Sequence, residues 1–184
     1  AVGFYGNLDA QQVDESFGKG EGFLSDVCKI WEDTARKIEI LGVSPTIGRI
    51  GVVLGESGGA LKKIAPMFKY NIGAILGKGT QGFSWIHIHD VVSSIMFLLS
   101  RNLTGVYNLT APNPVSNKDF SLSLASVFRK RCRFKVPEFM LKIMLGEMSS
   151  TLIEGQYANP SKLIKEGFSF RYEKILHALH SIYR

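Results

Sequence analysis

The sequence predicts an α/β fold in which a parallel sheet with crossover helices is followed by a mostly helical C-terminal part. The first observation is the alternation of short apolar runs, typical of strands, with amphipathic helical segments. The second is a change at Pro137, after which no strong strand signal is found. The third is the length of 184 residues, which suffices for one domain, or one domain with a small appendage, around a sizeable core.

Four segments have the apolar character and the flanking turn residues of strands. They are residues 2–5, 46–54, 84–88 and 105–110. The polar stretch between the first strand and the first helix, residues 6–22, is predicted to be a long loop.

Seven segments have helical signals. Residues 23–41 carry one apolar stripe, which Gly42 ends, and Asp90 is a natural N-cap for the helix after the third strand. The predicted helices are residues 23–41, 60–70, 90–100, 118–131, 137–145, 160–166 and 172–183.

Composition and charge narrow the classes of protein. Hydrophobic residues make up 45% and charged residues 21%, which excludes a disordered or collagen-like chain. The net charge of +6 favours anionic ligands such as nucleotides, but the charges are too dispersed to prove a partner. The densest group of positive charges is either a solvated helix end or an anion-binding patch. Because no aromatic residues are interleaved with these charges, a nucleic-acid partner is not expected. This basic cluster consists of Arg129, Lys130, Arg131, Arg133 and Lys135.

The two cysteines and the longest apolar runs suggest a cytoplasmic protein. Cys28 and Cys132 lack the spacing of a zinc site or a disulfide framework, which indicates a reducing compartment. No apolar run reaches the roughly 20 residues of a membrane helix, so no membrane partner is expected. A signal peptide is not recognised either, and the opening AVGFYG looks like a strand that is cut into.

A glycine-rich segment resembles a dinucleotide fingerprint. Gly77, Gly79 and Gly82 spell G-x-G-x-x-G, but that motif binds a pyrophosphate only where it follows a strand and opens a helix. Here a strand follows instead. We therefore predict a glycine-rich turn that leads into a strand.

A metal site is the next possibility in this region. His87 and His89 lie two apart on the predicted strand, so they would point to one face, and Asp90 follows. Two histidines without a clear third ligand make a weak metal signal. We predict no metal site.

A series of short motifs carries a family resemblance. They are AVGFYG, VDES, FLSDVCKIWE, GRIGVVLG, GGAL, SWIHIHDVV, GVYNLTAPNPVSN, LGEM, GQ and KLIKEGFSFRY. In this order they resemble the NAD(P)-dependent nucleoside-diphosphate-sugar epimerase-like branch of the extended short-chain dehydrogenase/reductase superfamily, a branch that also carries the name cell-division inhibitor. The resemblance covers essentially the whole chain.

The resemblance implies that this chain is the C-terminal part of such a protein. It implies the C-terminal portion of a Rossmann-like, doubly wound parallel sheet plus a smaller, mostly helical substrate domain. Residues 1–58 would be the remainder of the NADP-binding domain, 59–136 a substrate-binding region with sheet elements, and 137–184 a helical cap. The N-terminal Rossmann half, with the true glycine-rich cradle, is expected to be missing.

The activity that the resemblance implies is hydride transfer with NADP as cofactor, on a nucleotide sugar or a similar hydroxylated substrate. We expect this chain alone to bind NADP weakly and to be inactive. The alternative is a non-catalytic, cofactor-sensing interaction module. A sheet edge left uncovered by a missing half would also predict self-association.

The catalytic residues of the family are only partly recognisable. Its members pair a Tyr with a Lys four residues later, and a Glu follows after four more. If Glu32 takes the Glu position, Leu24 and Cys28 replace the Tyr and the Lys, so the usual pair is not seen; Cys28 is expected in the core, with ionisation as the alternative. Tyr5, at the end of the first strand, is the remaining catalytic candidate, and the alternative is packing beneath the site.

The cofactor candidates lie in the second strand. Arg49 needs an anionic or carbonyl partner there, because burying an unpaired guanidinium is costly. The resemblance places Arg49, Gly51 and Val52 beside the nicotinamide end of NADP. The alternative for Arg49 is a salt bridge with a carboxylate such as Glu56.

The substrate candidates lie around the third strand. Gln81 and Ser84 could meet phosphate or hydroxyl groups, and Trp85 could stack on a sugar or nicotinamide face unless it is a core residue. The resemblance places His87 near the substrate.

Overall fold

The computed structural model describes residues 1–149 and 153–183, and this part of the chain is α/β as predicted. Residues 150–152 and Arg184 of the predicted C-terminal cap lie outside the described part. The strands are Gln12–Val13 (β1), Thr46–Ile50 (β2), Val52–Leu54 (β3), Ala74–Leu76 (β4), Gly82–Phe83 (β5), Trp85–His87 (β6), Gly105–Leu109 (β7), Val115–Ser116 (β8), Phe134–Val136 (β9) and Tyr157–Ala158 (β10). The α-helices are Phe23–Arg36 (α1), Gly59–Lys69 (α2), Ile88–Ser100 (α3), Asn117–Val127 (α4), Glu138–Leu145 (α5), Ser161–Lys165 (α6) and Ile175–Tyr183 (α7).

Parallel pairing dominates among the five pairs of strands that the structure describes, as the sequence predicts. β2 pairs with β7, β3 with β6, β4 with β9 and β1 with β10, all in parallel, whereas β5 and β8 are antiparallel. The predicted strand over residues 46–54 is confirmed, but it changes partner at Gly51. A Cβ at Gly51 would lie 2.5 Å from the Ser84 carbonyl oxygen, so only glycine allows the two backbones to approach this closely.

The strand predicted over residues 2–5 is wrong: Val2–Tyr5 forms a 3₁₀ helix. The Phe4 N–H donates to the Ala1 carbonyl at 3.1 Å, which is a local bond. The Phe4 carbonyl accepts from the Gly20 N–H at 3.0 Å and from the Ser25 hydroxyl at 2.7 Å. The backbone of this segment is therefore satisfied by itself, the following loop and α1 rather than by a neighbouring strand.

The first helix differs from its prediction in length and orientation. α1 ends at Arg36, Lys37–Leu41 continues as a 3₁₀ helix, and Gly42 ends it in the left-handed conformation as expected. Ser25, Cys28 and Glu32 face inward, so the prediction of a core position for Cys28 is confirmed. The apolar stripe recognised in the sequence is mostly exposed, whereas the inward face meets the Phe4 carbonyl through Ser25 and the Arg49 guanidinium through Glu32. The exposed members of the stripe include Phe23, Leu24, Ile30, Trp31, Ile38 and Leu41.

The largest of three hydrophobic clusters buried among the described residues joins the predicted regions. Leu54, Leu61, Trp85, Phe120 and Leu179 all belong to one buried cluster. Residues from 1–58, 59–136 and 137–184 therefore pack together, while the boundaries between these regions stay a prediction. Among the described helices, none combines the length and the apolar character needed to cross a membrane.

Candidate functional site

A buried ion pair occupies the end of β2. The Arg49 guanidinium donates from Nε to one Glu32 oxygen at 2.7 Å and from Nη2 to the other at 2.9 Å. Both residues are buried, and the guanidinium lies 3.4 Å from the centre of the Phe4 ring. Burial lowers the pKa of Arg49, but its hydrogen bonds to Glu32 and Tyr5 outweigh burial and raise it above the usual value. The guanidinium is therefore charged, and its two hydrogen bonds to Glu32 form a brace between β2 and α1.

The brace continues into a polar network through Tyr5. Arg49 Nη1 donates to the Tyr5 hydroxyl at 3.0 Å, and that hydroxyl donates to Asn108 Oδ1 on β7 at 2.8 Å. The Asn108 side-chain amide donates to the Asn159 carbonyl at 2.9 Å, and the Asn108 N–H donates to Glu15 Oε1 at 2.9 Å. The network ties the loop before α1, two strands and the segment after β10 into one unit.

This geometry bears on two of the sequence predictions. Arg49 pairs with Glu32, not with Glu56, which is exposed. Burial raises the pKa of Tyr5, and its bonds with Arg49 and Asn108 offset this only in part, so the phenol is protonated at neutral pH. The roles of Arg49 in cofactor contact and of Tyr5 in catalysis stay predictions, and both groups already have protein partners here. Sequence reasoning missed Asn108, which stands out only as an amide within an apolar strand.

The helix that follows β6, α3, begins two residues earlier than predicted. α3 starts at Ile88, and its N-cap is His87, whose Nδ1 accepts from the His89 N–H at 3.0 Å. The prediction that Asp90 caps this helix is wrong. Because His89 lies in the helix, the premise that both histidines share one strand face is also wrong. Within the described residues, no group of three or more metal-ligating side chains is found.

His87 should make stability depend on pH. Burial lowers its pKa below 6.5, with Asp90 opposing and with His89, Arg171 and His177 adding to the shift. The unfolded chain then binds a proton more readily, so stability is complete above about pH 6.5 and falls as the pH drops below it. Urea unfolding at pH 7.5 and 5.5 measures this. His87→Gln should flatten the difference between the two midpoints, and an unaltered difference in this variant would contradict the assignment.

Asp90 fastens the C-terminal segment to α3. It is 1% exposed, and its two carboxylate oxygens accept from the N–H groups of Arg171 at 3.1 Å and Tyr172 at 2.9 Å. Asp90→Ala should lower the free energy of unfolding by about 2–4 kcal/mol, because two N–H groups lose a charged acceptor. Chemical denaturation measures this, with Ser93→Ala on the same helix as the control, expected within about 0.5 kcal/mol. Equal stability of the two variants would refute this role.

The remaining substrate candidates are held by protein contacts. Ser84 Oγ donates to the Gln156 carbonyl at 2.5 Å and accepts from the Ala158 N–H at 2.8 Å. Gln81 is buried and its side-chain amide donates to the Leu76 carbonyl at 3.0 Å. Trp85 is 0% exposed and its indole N–H donates to the Asn113 carbonyl at 3.1 Å, which favours the core alternative for its ring. Substrate contact by these residues and His87 stays a prediction.

The glycine-rich segment is a turn, as predicted. Gly77 and Gly79 have positive φ angles of 57° and 82°, and β5 and β6 follow rather than a helix. A Cβ at Gly82 would lie 2.4 Å from the Gln156 carbonyl carbon, so only a glycine at this position allows the backbone of Gln156 to approach this closely. This segment therefore lacks the strand–turn–helix order of a dinucleotide cradle.

An open concavity of about 450 Å³ lies beyond the carboxyl end of β7. Uncharged polar side chains and prolines line it, which suits ligands with hydroxyl groups. The sequence analysis did not single out this place as a site, although part of its lining lies in two motifs of the family resemblance, GVYNLTAPNPVSN and KLIKEGFSFRY. The lining residues are Gln12, Pro112, Asn113, Pro114, Asn159, Ser161 and Ile164.

Comparison with known proteins shows what the chain is related to. It is 41% identical over 183 residues to the epimerase family protein SDR39U1 homolog, chloroplastic, of Arabidopsis thaliana, covering 99% of this chain and 52% of the relative. It is 38% identical over 184 residues to the epimerase family protein YfhF of Bacillus subtilis, covering 99% of this chain and 60% of the relative. The chain is therefore related in sequence to proteins of this epimerase family. It spans a little over half the length of these relatives.

Solved structures and a family model agree with this relationship. The human epimerase family protein SDR39U1 (isoform 2), solved with NADPH, superposes with a TM-score of 0.91 at 26% identity over 100% of this chain and 63% of that one. A nucleoside-diphosphate sugar epimerase from Corynebacterium glutamicum gives 0.79 at 30% identity, over 100% of this chain and 36% of that one. A domain of unknown function, DUF1731, matches residues 136–182. The Rossmann-like fold expected for the epimerase family is thereby confirmed.

Proposed function

We propose that the protein is an NAD(P)-binding, epimerase-like oxidoreductase and that this chain is its substrate-side, C-terminal part. The cofactor proposed is NADP and the substrate a nucleotide sugar or a similar hydroxylated compound. The observation that carries the proposal is the superposition over the whole chain, with a TM-score of 0.91, on a relative solved with NADPH. The dinucleotide cradle then belongs to the part of the longer relatives that this chain does not match.

In this proposal the cofactor supplies the hydride chemistry, and this chain positions the groups around it. The Arg49–Glu32 pair holds the end of β2 rigid, so the partly exposed backbone of Gly51 and Val52 can border the nicotinamide end. Tyr5 is held protonated beneath that edge. The uncharged concavity lined by Gln12, Asn113 and Asn159 offers donors and acceptors for substrate hydroxyls.

Cofactor titration of two proteins tests the proposal. NADPH fluorescence should report binding to a protein that extends this chain to the length of its relatives. The 184-residue chain alone should not bind NADPH at micromolar concentrations. Micromolar or tighter binding by the isolated chain would show that its own residues hold the cofactor, and absence of binding to both proteins would defeat the proposal.

A non-catalytic, cofactor-sensing module is the second candidate. It is favoured by Leu24 and Cys28 at the positions where the family resemblance expects the catalytic Tyr and Lys; Cys28 is also buried. Absorbance at the nicotinamide band distinguishes the two. Consumption of NADPH with a sugar nucleotide supports the enzyme, whereas bound NADPH that no candidate substrate consumes supports the module.

We also propose a cytoplasmic location and self-association through the sheet edge at β2. β7 pairs along one edge of β2, and in the described part of the chain no strand pairs along the other. The exposed Ile30 and Trp31 lie on α1, whose Glu32 is held by Arg49 of β2. Light scattering tests this association, and a strictly monomeric mass at high protein concentration would rule it out.

A further inference from the structure

A basic loop between α4 and β9 lines an open concavity that the proposed function does not use. The concavity has a volume of about 290 Å³ and is lined by Asn71, Arg129, Lys130, Arg131 and Arg133. Within the described part of the chain, none of these four cations forms an ion pair with a carboxylate. Four unpaired positive charges therefore surround one small volume.

The structure holds this loop in place. The Arg131 N–H donates to Asn71 Oδ1 at 3.4 Å, and the Cys132 thiol lies 3.6 Å from the Gly73 carbonyl oxygen. Pairing of β4 with β9 begins directly afterwards, with Ala74 opposite Phe134. The basic side chains thus extend from a backbone that is anchored on both sides. Ligand binding therefore loses less conformational entropy than it would on a flexible loop.

Arg129 has an unfavourable backbone conformation. Its φ is +54°, the left-handed region at a helix C-terminus that glycine or asparagine normally occupies. The neighbouring helix α2 ends in the same way with an asparagine, Asn71, at φ +64°. A long cationic side chain at the corresponding position after α4 is disfavoured for folding alone, and such positions concentrate at functional sites.

The helix ends do not account for this much charge. α2 and α4 both end beside the concavity, and each helix C-terminus is equivalent to about half a negative charge, together about one. Four cations exceed this by about three positive charges. The charges also converge on one concavity instead of forming a row, which fits a compact anion better than an extended nucleic-acid backbone.

We propose that this concavity binds a compact polyphosphate group. Arginine presents a planar fork of donors that matches phosphate oxygens in pairs, and three of the four cations are arginines. The group can come from inorganic polyphosphate or from a nucleotide with a phosphate chain. It is separate from the NADP proposed above, because none of the lining residues belongs to the candidate cofactor or substrate residues.

Calorimetric titration with inorganic tripolyphosphate tests the site. Arg131→Gln with Arg133→Gln should weaken binding at least tenfold and reduce its dependence on salt concentration. Lys62→Gln with Lys63→Gln is the matched control, since it removes the same charge from two exposed residues of α2 outside the concavity. The control should stay within twofold of the unmodified protein. Equal weakening by both double variants would overturn the proposal in favour of general attraction by net charge.

Arg129→Gly should change stability and ligand affinity in opposite directions. Glycine tolerates the left-handed conformation, so the melting temperature should rise by about 2–4 °C while tripolyphosphate affinity falls. A higher melting temperature with unchanged affinity would overturn the role of Arg129 in the site.

Further titrations test which molecule carries the phosphate group and whether this site is independent of the proposed cofactor site. Equal affinity for tripolyphosphate and adenosine triphosphate would show that the site recognises the phosphates alone. Tighter binding of adenosine triphosphate would show that the ligand is a nucleotide. A duplex oligonucleotide that binds more tightly than either, and depends on Arg131 and Arg133, would overturn the proposal. NADPH affinity of the longer protein should not change in the loop variants, so this site and the cofactor proposal can fail separately.

Discussion

Glu32→Ala should lower the free energy of unfolding by about 3–5 kcal/mol. Glu32 and Arg49 are both buried, and Glu32 accepts two hydrogen bonds from the guanidinium, at 2.7 and 2.9 Å. Removing the carboxylate leaves a buried positive charge that has only the Tyr5 hydroxyl as a polar partner in the described part of the chain. Urea denaturation followed by circular dichroism measures the loss.

Asp33→Ala is the matched control on the same helix. Asp33 pairs with Lys29 across one turn of α1, but both side chains are about half exposed. Exposed pairs contribute about 0–1 kcal/mol, so this variant should stay close to the unmodified protein. Replacing both Glu32 and Arg49 by methionine should recover much of the stability lost in Glu32→Ala, because no unpaired charge remains. Equal losses for Glu32→Ala and Asp33→Ala would refute the importance of the buried pair.

Trp85→Ala should cost about 3–5 kcal/mol of stability. Trp85 is 0% exposed and belongs to the large core cluster with Leu54, Leu61 and Leu124. Removing the indole leaves a cavity and an unpaired Asn113 carbonyl. Chemical denaturation measures the effect, and the result separates the core interpretation of Trp85 from its predicted role in substrate contact.

The other tryptophan serves as the control. Trp31 is 63% exposed on α1, so Trp31→Ala should change the free energy of unfolding by no more than about 0.5 kcal/mol. Fluorescence of the Trp31→Ala variant then reports Trp85 alone, and its emission should be blue-shifted because the ring is enclosed. Near-normal stability of Trp85→Ala, together with weaker substrate binding, would support substrate contact instead.

Local rules predicted much of the fold because they depend on near neighbours in the chain. The apolar β-branched runs predicted β2, β3 and β7, and the glycines from Gly77 to Gly82 predicted a turn, since turn chemistry and strand propensity act over a few residues. Helix starts were predicted within one or two residues for α2 and α4. The helix predicted over residues 118–131 is too long, because α4 ends at Val127 and the chain turns at Arg129.

The partners of charged residues could not be predicted in this way. The sequence predicts that Arg49 needs an anionic partner, but Glu32 is 17 positions away and reaches it only because α1 packs against the end of β2. The sequence predicts a helix cap at Asp90, yet its carboxylate accepts hydrogen bonds from the N–H groups of Arg171 and Tyr172, 81 and 82 positions away. Such pairings depend on which elements meet in space.

By itself the sequence determined the α/β class, the family resemblance and most element positions, because these follow from periodicity, turn residues and the order of short motifs. The tertiary structure decided which face of α1 is buried, which carboxylate neutralises Arg49 and where the basic loop converges. Ser25, Cys28 and Glu32 face inward although the apolar stripe of α1 is stronger, because buried backbone carbonyls and a guanidinium require polar partners. Such requirements arise only when distant segments come together.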